Sequence, residues 1–230
     1  MSYFYLKVFL LICFIFIVSF WTTYNISLKE SFGTNKNQET IVLLGDSILK
    51  NNSYVSNGKG IDNLLEERTN RKIYSLAENN SKIVDIYLQL DKIPFELNNN
   101  HTIIFLSAGG NDILSFYVDQ KEDATDSSVL NPMFSAYKKL IKSIQTKMDK
   151  VKIVLLDIYY PDNITYHPFH PIIKEWNTKI YKYVNDPSNK INNVLKISNY
   201  LTQSNDFTMG IEPSATGGEK ITDMILQNIS

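Results

Sequence analysis

Three stretches of this 230-residue chain carry polar side chains placed where a nucleophile and its partners could stand. In IVLLGDSIL, residues 41–49, an apolar run that reads as a buried strand passes directly into Gly45-Asp46-Ser47, so a hydroxyl stands where the chain leaves a sheet. Ser47 is a candidate nucleophile, and a serine in that role needs a neighbouring base to take its proton. In SAGGNDIL, residues 107–114, the Asn111 carboxamide follows Gly109 and Gly110 at the end of another apolar run. In GIEPSATGGEKI, residues 210–221, Glu212 precedes a last helical stretch. Histidine is scarce, with His101, His167 and His170 alone. His101 opens a strand and is a poor candidate base, whereas His167 and His170 lie in NITYHPFHP, a Pro-punctuated loop after the fourth strand.

Each residue also has a plainer use. Ser47 suits a helix N-cap, Asn111 a turn, Glu212 a surface or capping carboxylate, and the two loop histidines a solvated surface. Gly109 and Gly110 serve backbone geometry first. No His/Asp/Glu cluster has metal-ligand spacing, and the single cysteine, Cys13, lies in the apolar N-terminal segment. No cofactor is implied.

These residues need a scaffold, and the hydrophobic pattern supplies one. Short apolar runs at 40–45, 71–77, 101–108, 151–159 and 192–198 alternate with amphipathic ones near 60–68, 81–91, 131–149, 171–185 and 216–228. That alternation predicts an α/β domain over residues 40–230, with a mostly parallel five-stranded sheet between two helix layers. In a flavodoxin-like strand order the first and third strands flank the switch point, so the loops carrying Ser47 and Asn111 would meet over one crevice. Residues 131–149 show the helical period well, with Phe134, Tyr137, Leu140, Ile141 and Ile144 on one face.

The 23 basic and 24 acidic residues are interspersed and nearly cancel, which argues against nucleic acid as a partner. Residues 3–21 carry one charge, Lys7, and a helix from Tyr3 to Thr22 would span roughly 30 Å, about the thickness of a hydrocarbon core. Residues 1–24 are expected to be an uncleaved membrane anchor with the domain on the extracytoplasmic side. A cleaved signal giving a secreted protein is the competitor. Residues 25–39 are polar and aperiodic and read as a linker.

Taken together, LLGDSIL, SAGGNDIL and GIEPSATGGEKI resemble the nucleophile, oxyanion and closing blocks of the SGNH/GDSL hydrolases, a family of esterases, lipases and carbohydrate deacetylases with a flavodoxin-like fold. The resemblance implies that Ser47 attacks an ester and that its own backbone N–H and the Asn111 amide, with Gly110 beside it, receive the oxyanion. A third donor in the family is a glycine N–H after the second strand. Here Asn80, in LAENNSKIVDI, aligns with that glycine, and Asn tolerates positive φ better than most residues. The implied substrate is a small-molecule, lipid or glycan ester.

The closing block departs from the family. Where D-x-x-H-P-S is expected, the chain reads Met209-Gly210-Ile211-Glu212-Pro213-Ser214, so both partners of the serine are replaced. One account makes Glu212 the base, which needs its pKa raised by about 2 units, roughly 3 kcal/mol of differential desolvation, to match a histidine. Another recruits His167 or His170 as the base. A third is a catalytically impaired pseudoenzyme that binds an acyl or glycan ligand.

Overall fold

The computed structural model describes residues 39–119 and 129–229. The expected anchor, and the linker up to residue 38, lie outside the described residues. Within them no helix is long and apolar enough to cross a membrane.

The first strand, β1 (Thr40–Leu44), and β3 (Thr102–Leu106) are buried at every position, as continuous apolar runs must be when helices cover both faces of a parallel sheet. They pair directly, with Ile41 opposite Ile103 and Leu44 opposite Leu106. β2 (Lys72–Ser75) flanks β1, while β4 (Lys152–Leu156) and β5 (Asn193–Leu195) extend the other side, giving the all-parallel order β2-β1-β3-β4-β5. The predicted switch between β1 and β3 is present.

Alternation along each strand sorts side chains between two cores. Val42, Leu44, Ile104, Leu106 and Leu155 face one layer of helices: α2 (Ile86–Asp91), α3 (Gly110–Asp119), α4 (Leu130–Lys147) and α5 (His170–Asn185). Ile41, Leu43, Phe105 and Leu156 face the other, formed by α1 (Ile61–Arg68) and α6 (Ala215–Ile229). On α4 the predicted stripe is turned inward, with Tyr137, Leu140, Ile141 and Ile144 buried.

Two elements go beyond the sequence expectation. Gly110 does not sit in a loop but opens α3, so Asn111 belongs to that helix's first turn. The closing block folds as a small antiparallel hairpin, β6 (Phe207–Thr208) with β7 (Glu212–Pro213), Thr208 facing Glu212. Met209 at φ 50° and Gly210 at φ 86° make its turn.

Candidate active site

Where β1 ends, the backbone must turn within one residue, and Gly45 does so at φ 137°. A Cβ there would lie 2.2 Å from the Ser107 carbonyl oxygen, so the position admits no side chain. Asp46 then closes the next turn: its Oδ1 accepts from Ile48 N at 3.1 Å and from Ser107 Oγ at 2.8 Å. The capping role open to Ser47 is thus taken by Asp46, and Ser47 is left on the wall of a cleft.

That cleft, about 50 Å³, opens beyond the carboxyl ends of β1, β3 and β4. Its polar lining consists of Asp46, Ser47, Asn111 and Glu212, joined by the backbone of Gly110. Ile113, Leu114 and Ile158, with Tyr166, Phe169 and Ile173, supply apolar walls. Asn111 Nδ2 donates to the Ser81 carbonyl at 3.1 Å, which orients the carboxamide and leaves its second N–H for another acceptor.

Glu212 enters from β7, which is pinned on both sides. Tyr159 Oη donates to the Ile211 carbonyl at 2.6 Å, and the buried Asn51 amide lies 3.4 Å from the Pro213 carbonyl. Burial raises the Glu212 pKa, and the nearby Ser47 hydroxyl partly offsets that. Glu212 Oε2 is buried without a hydrogen-bond partner. Capping of α6 falls to Ser214 instead, whose Oγ accepts from Gly217 N at 3.2 Å. Asp46 is pushed up to about 6, chiefly by burial, with the Glu212 charge adding to it.

The other sequence candidates are placed elsewhere. His167 and His170 stand outside the cleft lining, their Nε2 atoms 3.0 and 2.9 Å from the carbonyl oxygens of Asp162 and Pro161. His101 precedes β3 at the opposite end of the sheet. Asn80 adopts φ 60°, the left-handed conformation its alignment with a glycine requires, and its side chain is exposed outside the lining. Met209 is 76% exposed at the tip of the hairpin, so the place of an orienting aspartate faces solvent. Asp206 is fully buried and accepts from Thr202 N and Gln203 N while pairing with Lys220 at 2.7 Å, a structural role. Among the described residues no group of His, Cys, Asp and Glu is arranged to hold a metal ion.

Sequence reasoning missed Tyr159, Asn51 and Gln89, whose polar groups hold the site's backbone. Nothing local distinguishes them, since each acts on a partner distant in sequence.

A doubly wound sheet with a serine, a carboxamide and a carboxylate around one cleft at its switch point defines a class: α/β proteins with a hydrolase-like site. The chain belongs to the GDSL-like lipase/acylhydrolase family, whose model matches residues 41–221. No curated protein matches it significantly. Among solved structures it is similar to a lipolytic G-D-S-L family protein from Veillonella parvula, with 19% identity, TM-score 0.62, and 82% of this chain and 97% of the other covered. An acetyl xylan esterase aligns at 17% identity and TM-score 0.61, covering 83% of this chain and 100% of the other. The psychrotrophic esterase EstA from Pseudoalteromonas sp., in a structure inhibited by monoethylphosphonate, aligns at 17% identity and TM-score 0.59, covering 84% and 97%. At these identities the likeness is one of fold.

Proposed function

We propose that this protein is a serine-dependent ester hydrolase in which Glu212 replaces the histidine base. The observation that carries the reading is the meeting of Ser47, Asn111 and Glu212 in one cleft, with burial raising the Glu212 pKa toward that of a working base. Ser47 Oγ attacks the ester carbonyl carbon as its proton passes to Glu212. The negative charge gathers on the carbonyl oxygen and is received by the Asn111 amide and the Ser47 backbone N–H, with Asn80 N–H as the third donor. Collapse expels the alkoxide, which takes the proton back from Glu212. Water, deprotonated by the same carboxylate, then releases the acyl group and restores Ser47.

The cleft supports a short acyl group. One water needs about 10–15 Å³ of such space, so an open cleft of about 50 Å³ has room for an acetyl or propionyl group beside Ser47. An acetylated carbohydrate or other small acetyl ester is the substrate class with which this size and the fold's likeness to an acetyl xylan esterase agree. We place the domain outside the cytoplasm, held by residues 3–21 as a membrane helix. Retention of the full chain in membranes after an alkaline carbonate wash tests the anchor, and loss of the domain to protease added to intact cells tests its side.

A fluorophosphonate probe tests the chemistry. Covalent labelling is expected in the native chain and absent from Ser47→Ala. A labelled Ser47→Ala chain, or a native chain that neither labels nor turns over p-nitrophenyl acetate, would refute the assignment.

A further inference from the structure

At the foot of the Ser47 turn, both backbone groups of Gly45 are read by one side chain from another element. Gly45 N donates to Gln89 Oε1 at 2.8 Å, and Gln89 Nε2 donates to the Gly45 carbonyl at 2.8 Å. The remaining Nε2 proton goes to Ser81 Oγ at 3.0 Å. Ser81 in turn offers its carbonyl to Asn111 Nδ2. A continuous polar path therefore runs from the nucleophile turn, through α2, to the carboxamide on α3.

Gln89 is 1% exposed, at a position where an apolar side chain would serve helix packing as well. Burying an amide is unfavourable unless each polar atom is paired, and here all are. The pairing also demands an amide: a carboxylate could accept from Gly45 N but could not donate to its carbonyl or to Ser81. We infer that Gln89 is a positioning residue, fixing the separation between the Ser47 turn and the Asn111 carboxamide. The inference rests on the proposed joint action of Ser47 and Asn111 on one acyl carbonyl. Gln89 itself touches no reacting atom.

Gln89→Met, which keeps length and volume and removes the hydrogen bonds, is the test in the full chain. With p-nitrophenyl acetate, kcat is expected to fall about a hundredfold, the scale of a 1 Å misplacement. KM should stay within about twofold, because the acyl pocket is untouched. In an Asn111→Ala background the same substitution should cost less than about tenfold, since the spacing it sets no longer matters. An equal loss in both backgrounds, or a change in KM without kcat, overturns the inference.

An NMR reading of the Asn111 side-chain amide separates this result from failure of the hydrolase assignment. If the native chain shows no Ser47-dependent turnover, that assignment falls. A shifted Asn111 signal in Gln89→Met then still upholds the coupling, and an unmoved one overturns it. Should Gln89→Met fail to fold, Ser81→Ala removes only the third hydrogen bond and is read the same way. A severalfold kcat loss that vanishes in Asn111→Ala supports the coupling, and an unchanged kcat overturns it.

Discussion

Glu212 has to perform at one carboxylate what a histidine and its orienting aspartate perform together. An ordinary glutamate is a weak base near neutrality, and burial in the cleft moves it in the useful direction, with the Ser47 hydroxyl opposing part of the shift. A carboxylate offers either oxygen to the serine and needs no tautomer fixed, which accords with a solvent-facing Met209 where the aspartate would stand. Because the base works ionised, kcat/KM should fall as pH drops through the raised Glu212 pKa. Glu212→Gln should lower kcat by at least about a thousandfold with KM little changed. Glu212→His should recover part of the activity and move the acid limb toward about 6.5. A pH–rate profile of the three chains checks this, and an acid limb indifferent to residue 212 would assign the base elsewhere. Ser47, Asn111 and Glu212 were legible in the sequence because each lies in a short local block. Gln89 was not, since its partner Gly45 is 44 residues away and nothing near Gln89 announces it.

At the scale of elements, the site depends on how strands end. Gly45 turns the chain against Ser107, whose Oγ accepts from Asp46 N at 3.2 Å and donates to Asp46 Oδ1, so β1 and β3 are locked together just below the nucleophile. Gly45→Ala combines a disfavoured φ with a clash against backbone, and should destabilise the fold by about 3 kcal/mol or more. Gly58 provides the contrast. It has φ 76° but nothing within 4 Å of an added Cβ, so Gly58→Asn should cost no more than about 1 kcal/mol. Urea midpoints of the two variants measure the difference, and equal losses would mean that the contact with Ser107 is unimportant. The strands themselves were readable because central parallel strands are uninterrupted apolar runs. The β6–β7 hairpin was hidden by its brevity and by Pro213, a residue that argues against strand. α3 was hidden because Gly109-Gly110-Asn111-Asp112 has turn composition, although Gly109, at φ 106° against the Trp176 ring, makes the turn and Gly110 already begins the helix.

For the whole molecule, the order of the strands decides which loops meet, and that order was reached by taking the strand–helix alternation as flavodoxin-like. What alternation could not reveal is the electrostatic consequence of bringing Asp46 and Glu212 to the same cleft. Asp46 titrates near 3.8 when free and near 6 in the fold, mainly through burial. Between those values the native state holds a proton that the unfolded chain releases. The contribution of Asp46 to stability therefore falls as pH rises from about 4 to about 6, by roughly 3 kcal/mol at most, and is constant above that range. Asp46→Asn removes the charge while keeping an oxygen to accept from Ile48 N, so it should match the native chain near pH 4 and exceed it in stability near pH 7. Glu212 shares the sign of this dependence, its pKa also being raised, and because its charge adds to the Asp46 shift, the difference between the two chains reads Asp46 together with that coupling. Urea unfolding of both at the two pH values reads that difference directly. A stability gap that is the same at pH 4 and pH 7 would show that Asp46 keeps its charge in the fold at no cost.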